Sequence, residues 1–143
     1  MSVALIACGA LARDVLALCD KHGWDAEVLG VAALLHNRPD RIPAAVRSTI
    51  RDARAKHSHI FVVYGDCGTG GMLDRMLAEE SVERVPGPHC YEMYAGRSFE
   101  EMTSAEPGTF FLTDYLVQSF DHLVLQGLGL DRHPELQEDY FGN

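Results

Sequence analysis

From its first residues the chain alternates short apolar runs with longer segments of helical period, and that alternation leaves few folds open. Residues 3–7 are apolar throughout and bounded by Cys8-Gly9, which predicts a short buried strand. Leu11, Val15, Leu18 and Cys19 then fall at i, i+4, i+7 and i+8, one face of a helix over residues 10–22. Gly23 follows as its C′ residue. A second strand is predicted over 26–35, ending at His36-Asn37-Arg38-Pro39, and a helix from Asp40 with Pro43 in its first turn and Val46, Ile50 and Ala53 inward. Residues 59–64 give the clearest strand, followed by a glycine-rich turn and a helix over 71–80 with Met72, Leu73, Met76 and Leu77 inward. A weak strand is expected over 82–85 and one helical turn over 91–96. A short helix capped by Ser98, with Glu101 as capping-box partner, comes next. A strand over 109–112 leads into a helix begun by Thr113 or Asp114, with Leu116, Phe120, Leu123 and Val124 inward. This order implies right-handed crossovers and a single α/β domain over residues 1–143, built on a mostly parallel, doubly wound, Rossmann-like sheet.

Charge narrows the function. Acids outnumber bases 21 to 12, a formal charge of −9, which argues against nucleic acid or an anionic membrane as the partner. The N-terminal apolar run has no basic residues before it and is too short for a signal peptide or a membrane span. Cytoplasmic residence is the expectation. There thiols stay reduced, so four cysteines read as structural, metal-binding or catalytic rather than as a disulfide framework. The end, Tyr140-Phe141-Gly142-Asn143, has no element after it and reads as a chain cut short.

Three of those cysteines fall where a parallel sheet would gather them. Cys8 ends the first strand, Cys67 follows the third in Gly65-Asp66-Cys67-Gly68-Thr69-Gly70-Gly71, and Cys90 lies in Pro86-Gly87-Pro88-His89-Cys90 after the weak fourth strand. Open α/β sheets bind ligands at this carboxyl edge. Cys8, Cys67 and Cys90 are therefore the candidate metal ligands, with soft sulfur donors that suit zinc or a [4Fe–4S] cluster with one open iron rather than magnesium or calcium. Cys19 faces the core.

The neighbours supply the remaining chemistry. Four glycines between a strand and a helix let backbone amides approach an anion, so Gly68, Thr69, Gly70 and Gly71, with Arg38, are candidates for binding an anionic group. The loop lacks the lysine of a phosphate-binding loop and the spacing of a dinucleotide fingerprint. His36, at the end of the second strand, is a candidate fourth ligand or acid–base group; Asp66 and His89 are candidates to move protons. Adjacent His89 and Cys90 are expected to diverge, with Cys90 ligating and His89 acting from behind it.

The segments Tyr64–Gly71 and Pro86–Glu92, with His36-Asn37-Arg38-Pro39 and Tyr140-Phe141-Gly142-Asn143, resemble a bacterial and archaeal family of unassigned function, often encoded beside corrinoid-dependent, methylamine-type methyltransferases. The resemblance spans nearly the whole chain and implies a setting in one-carbon or methyl-group metabolism, with corrinoid methyltransferase components as partners. Three functions fit these residues. The first is a metal-dependent enzyme or enzyme component acting on a small anionic or thiol substrate. The second is a non-catalytic module carrying a metal or a corrinoid; the Asp-x-His-x-x-Gly corrinoid motif is absent from the sequence. The third is a metal-free thiol enzyme with Cys67 as nucleophile.

Overall fold

The computed structural model describes residues 2–142. Four parallel strands, β1 (Val3–Cys8), β2 (Ala26–Val31), β3 (His59–Val63) and β4 (Glu83–Arg84), form one sheet in the order β2-β1-β3-β4. Helix α1 (Gly9–His22) joins β1 to β2, α2 (Ile42–Ala53) joins β2 to β3, and α3 (Met72–Glu80) joins β3 to β4. With right-handed crossovers, the reversal at β1 puts α1 on one face and α2 and α3 on the other, and α2 packs on α3. The sheet is thus parallel and doubly wound, as the alternation in the sequence predicts.

The core follows from the apolar periodicity. Ala4, Ile6, Ala7 and Cys8 of β1 are buried, as a central parallel strand covered on both faces requires. Leu11, Val15 and Cys19 of α1 close one side; Val46, Ile50 and Ala53 of α2, with Leu73, Met76 and Leu77 of α3, close the other. Leu18 and Met72, expected inward, are instead exposed. Gly23 ends α1 at φ +63°, and its amide donates to the carbonyl of Asp20. Beyond it Trp24 stacks on His22, at the amino end of the sheet. Arg51 of α2 and Arg54, just past its end, hold the buried carboxylate of Glu80, at 3.1 and 2.5 Å, and so tie α2 to the end of α3.

After β4 the chain departs from expectation. Helices α4 (Tyr91–Ala95) and α5 (Arg97–Ala105) form, but α5 starts from Gly96 and no side chain caps it, so the Ser98–Glu101 capping box is not made. No strand forms over 109–112. β4 pairs through only two residues, Glu83 and Arg84, and so offers too short an edge to carry a fifth strand. Phe111 packs instead on Tyr91 and Phe99. Thr113 does cap the next helix, α6 (Asp114–Gln118), accepting from the Leu116 amide at 3.3 Å. The expected single helix then widens into a π-helical segment, Phe120–Gln126, which buries Leu123 and Val124. The chain finishes through turns and α7 (Gln137–Phe141). No helix among the described residues is long and apolar enough to cross a membrane.

Candidate metal centre

The order β2-β1-β3-β4 has its switch point between β1 and β3, where two successive crossovers leave in opposite directions and open a crevice at the carboxyl edge. The cysteines sit there. Cys8 is the last residue of β1, and Cys67 lies four residues beyond β3.

The loop after β3 is shaped by three contacts. The amides of Asp66 and Cys67 donate to the carbonyls of Gly87 and Pro88 at 3.1 and 2.9 Å, so this loop runs against the segment carrying His89 and Cys90. Gly65 permits that approach. A Cβ there would lie 2.6–2.8 Å from backbone atoms of His89 and Cys90. Cys67 itself adopts φ +52°, a left-handed conformation that costs a non-glycine residue about 1 kcal/mol or more. Asp66 turns onto its own loop, accepting from Thr69 Oγ1 at 2.5 Å and from the amides of Gly71 and Gly70 at 3.0 and 3.1 Å. Burial works to raise the Asp66 pKa, but these three hydrogen bonds outweigh it and hold the carboxyl below its usual range. Two of the amides read as an anion cradle therefore already hold a carboxylate of the chain itself. Arg38, the other candidate for an anion, is exposed.

The geometry gathers four donors. One ligand atom each from His36, Cys67, His89 and Cys90 lie within 4.8 Å of one another. His36 arrives on a short 3₁₀ turn, Ala33–Asn37, because β2 stops at Val31 rather than running on to residue 35 as the sequence predicts. His89 and Cys90, expected to diverge, converge because Cys90 has helical backbone (φ −62°, ψ −25°) at the start of α4, which brings its Sγ to 3.4 Å from His89 Nδ1. Cys8 stands beside this group rather than within it, its Sγ 3.1 Å from His36 Nε2. Cys19 lies apart, in the core under α1.

Burial and sulfur–sulfur contact set the electrostatics. The hydrogen bond from Cys90 draws the Cys67 thiol below its ordinary pKa against the effect of burial, while Cys90, sharing its proton with Cys67 and buried, is pushed far up. Of the two, Cys67 is the thiol that gives up its proton more readily. Burial lowers His36, and burial together with His36 lowers His89 to about 4, so both imidazoles are neutral lone-pair donors at neutral pH. Cys8 is raised, chiefly by burial.

Two residues the sequence did not mark frame the group. Tyr64, fully buried, turns its hydroxyl toward Cys8 without meeting a full hydrogen bond to any group. Arg84, on β4, donates through Nη1 to the carbonyls of Val85, Gly87 and Tyr64 at 2.7, 3.1 and 3.3 Å, and through Nε and Nη2 to Asp74 at 2.6 and 3.0 Å. It binds the turn before His89 to the end of β3. Tyr91, 4.1 Å from His89 between ring centroids, begins an aromatic cover continued by Phe99 and Phe111.

A family profile described as "Protein of unknown function (DUF1638)" matches residues 31–143. The chain belongs to this family. All four converging donors of this DUF1638 chain lie in the matched span, and Cys8 precedes it. No curated protein matches the chain.

Proposed function

We propose that His36, Cys67, His89 and Cys90 hold a single metal ion, most suitably zinc, and that the protein is an enzyme or enzyme component in which this ion activates a small substrate. The observation that carries the reading is the convergence of two sulfur and two nitrogen donors within 4.8 Å at the switch point. Zinc–sulfur bonds of about 2.3 Å and zinc–nitrogen bonds of about 2.0 Å set donor–donor edges of about 3.3–3.8 Å, so closing on an ion needs shifts on the order of 1 Å. The donor set is the tetrahedral N₂S₂ type that suits zinc. Two thiolates neutralise a divalent ion, which makes its burial electrostatically affordable. The left-handed backbone at Cys67 is the kind of local strain that gathers at functional sites. Convergence on one point favours a single ion over an iron–sulfur cluster, whose thiolates attach to separate irons.

In the one-carbon setting implied by the resemblance, the ion would bind a substrate thiol and hold it as thiolate, its proton passing to solvent. The sulfur would then attack the methyl carbon of a donor such as a methylated corrinoid, the S–C bond forming as the donor departs with the electron pair of the broken bond.

Metal analysis of anaerobically purified protein tests the centre. One zinc per chain, lost in Cys67→Ser and kept in Cys8→Ser, is the expected result. Iron with acid-labile sulfide would replace the ion by a cluster, and loss of metal in Cys8→Ser would add Cys8 to the ligands. No metal at all, after attempted reconstitution, would overturn the centre and leave Cys67 as a thiol nucleophile.

A further inference from the structure

A small, partly open cavity of about 100 Å³ borders the centre. His36 and Cys90 form its inner wall; Leu11, Leu116, Leu123, Val124 and Leu128 form much of the rest. The π-helical segment supplies two of these and Asn37 anchors that segment, donating to the Leu123 carbonyl at 3.1 Å. No Asp, Glu, Lys or Arg lines the cavity. On the other side of Tyr94 lies a wider, more open cavity of about 470 Å³, lined by Arg13, Asp14, Asp114 and Gln118 among others. The two share Ala10, Tyr94 and Thr113 as walls. Tyr94 is fixed by its hydroxyl, which donates to Asp14 Oδ2 at 2.6 Å.

We infer that the inner cavity seats the short, uncharged arm of a thiol substrate, its sulfur completing the metal's coordination beside His36 and Cys90 while its polar remainder rests in the outer cavity. This rests on the metal reading above and adds the substrate class to it. The size limit follows from the volume. A cavity of about 150 Å³ holds benzene, and a water molecule's share of the liquid is about 30 Å³, so about 100 Å³ suits roughly two to four carbon-sized atoms. The charge limit follows from the lining, because an ionised group placed there would meet no side chain of opposite charge. Sulfur follows from the donors, since a thiolate-rich centre suits a soft ligand. The substrate sulfur takes the place of His36, whose Nε2 has an alternative partner in Cys8 Sγ at 3.1 Å, so that Cys67, His89 and Cys90 form the lasting set and the fourth position opens to the cavity.

Cobalt(II) substituted for zinc gives a visible spectrum that reports each change of ligand. Cobalt stoichiometry is measured first; then ethanethiol, mercaptoacetate and thiophenol are titrated separately into the loaded protein. Ethanethiol is expected to shift the spectrum saturably, at least tenfold more tightly than mercaptoacetate, and thiophenol not to bind. Leu116→Trp and Leu128→Trp, both at half-buried positions, fill the cavity and should keep the cobalt but weaken ethanethiol at least tenfold. A loaded protein whose spectrum ignores ethanethiol would overturn the inference while leaving the metal centre standing. Equal binding of mercaptoacetate, or wild-type ethanethiol binding in both tryptophan variants, would also overturn it. Failure to bind cobalt would remove both readings together.

Discussion

Arg84 is the residue whose loss should reveal how the centre is assembled. In Arg84→Met the hydrophobic stem remains and the guanidinium goes, together with its donors to the carbonyls of Val85 and Gly87 at 2.7 and 3.1 Å. Hydrogen bonds from a charged donor contribute about 1.5–3 kcal/mol each. If the 3.3 Å contact to Tyr64 is disregarded and water partly replaces the other two, about 2–3 kcal/mol is lost. The ion pair with Asp74 adds little, because that carboxylate is 56% exposed. A chain of this size shifts its Tm by about 3 °C per kcal/mol, so thermal unfolding of the metal-free variant should come about 6–9 °C lower. Metal affinity, read by competition with a chelator, should weaken about tenfold, as for other groups that support ligands from behind. Asp74→Asn is the control, costing about 0–1 kcal/mol because it removes only the exposed partner. A drop below about 2 °C in Arg84→Met, or an equal loss in Asp74→Asn, would refute the reasoning that the carbonyl contacts matter.

Three further outcomes follow from the same geometry. Gly65→Ala would press a methyl group against the His89–Cys90 backbone; forced overpacking costs about 1–3 kcal/mol, and metal analysis should show the centre weakened along with the fold. At position 67 the left-handed backbone makes glycine the better small residue, so Cys67→Gly should be more stable than Cys67→Ala by about 1 kcal/mol in chemical denaturation, with neither binding metal. In metal-free protein His89 is lowered from 6.5 to about 4, so between those values the unfolded chain binds the extra proton and stability rises with pH. Tm should therefore fall as pH drops from about 6.5 to about 4, more steeply in wild type than in His89→Asn, and equal slopes would count against a buried neutral imidazole.

Much of the scaffold is legible in the chain because local patterns decide it. The apolar run over residues 3–7, followed by the Leu11–Val15–Cys19 stripe, produces β1 and α1 almost as read. Cys8, Cys67 and Cys90 can be placed at one edge from strand polarity alone. What the sequence hides depends on partners far along the chain. Residues 109–112 have strand composition, yet a strand needs an edge, and β4 supplies two residues of it. The convergence of His89 with Cys90 turns on the helical backbone of Cys90, which nothing local announces. Arg84 looks like a surface arginine until the turn at Gly87 folds beneath it. The glycines near Cys67 do signal an unusual turn, but not that Asp66 will occupy the amides they expose.

The stack of Trp24 on His22 has an optical consequence. Trp24 is the chain's single tryptophan, just before the first residue of β2, whereas the metal donors gather beyond the strands' other ends. Six residues of strand separate the two edges by about 20 Å. Indole emission will therefore report unfolding of the sheet's amino edge and stay nearly silent as the centre fills. The chromophores beside the donors are phenols, Tyr64 and Tyr91, so ultraviolet difference absorption can follow loading of this centre by a colourless ion such as zinc.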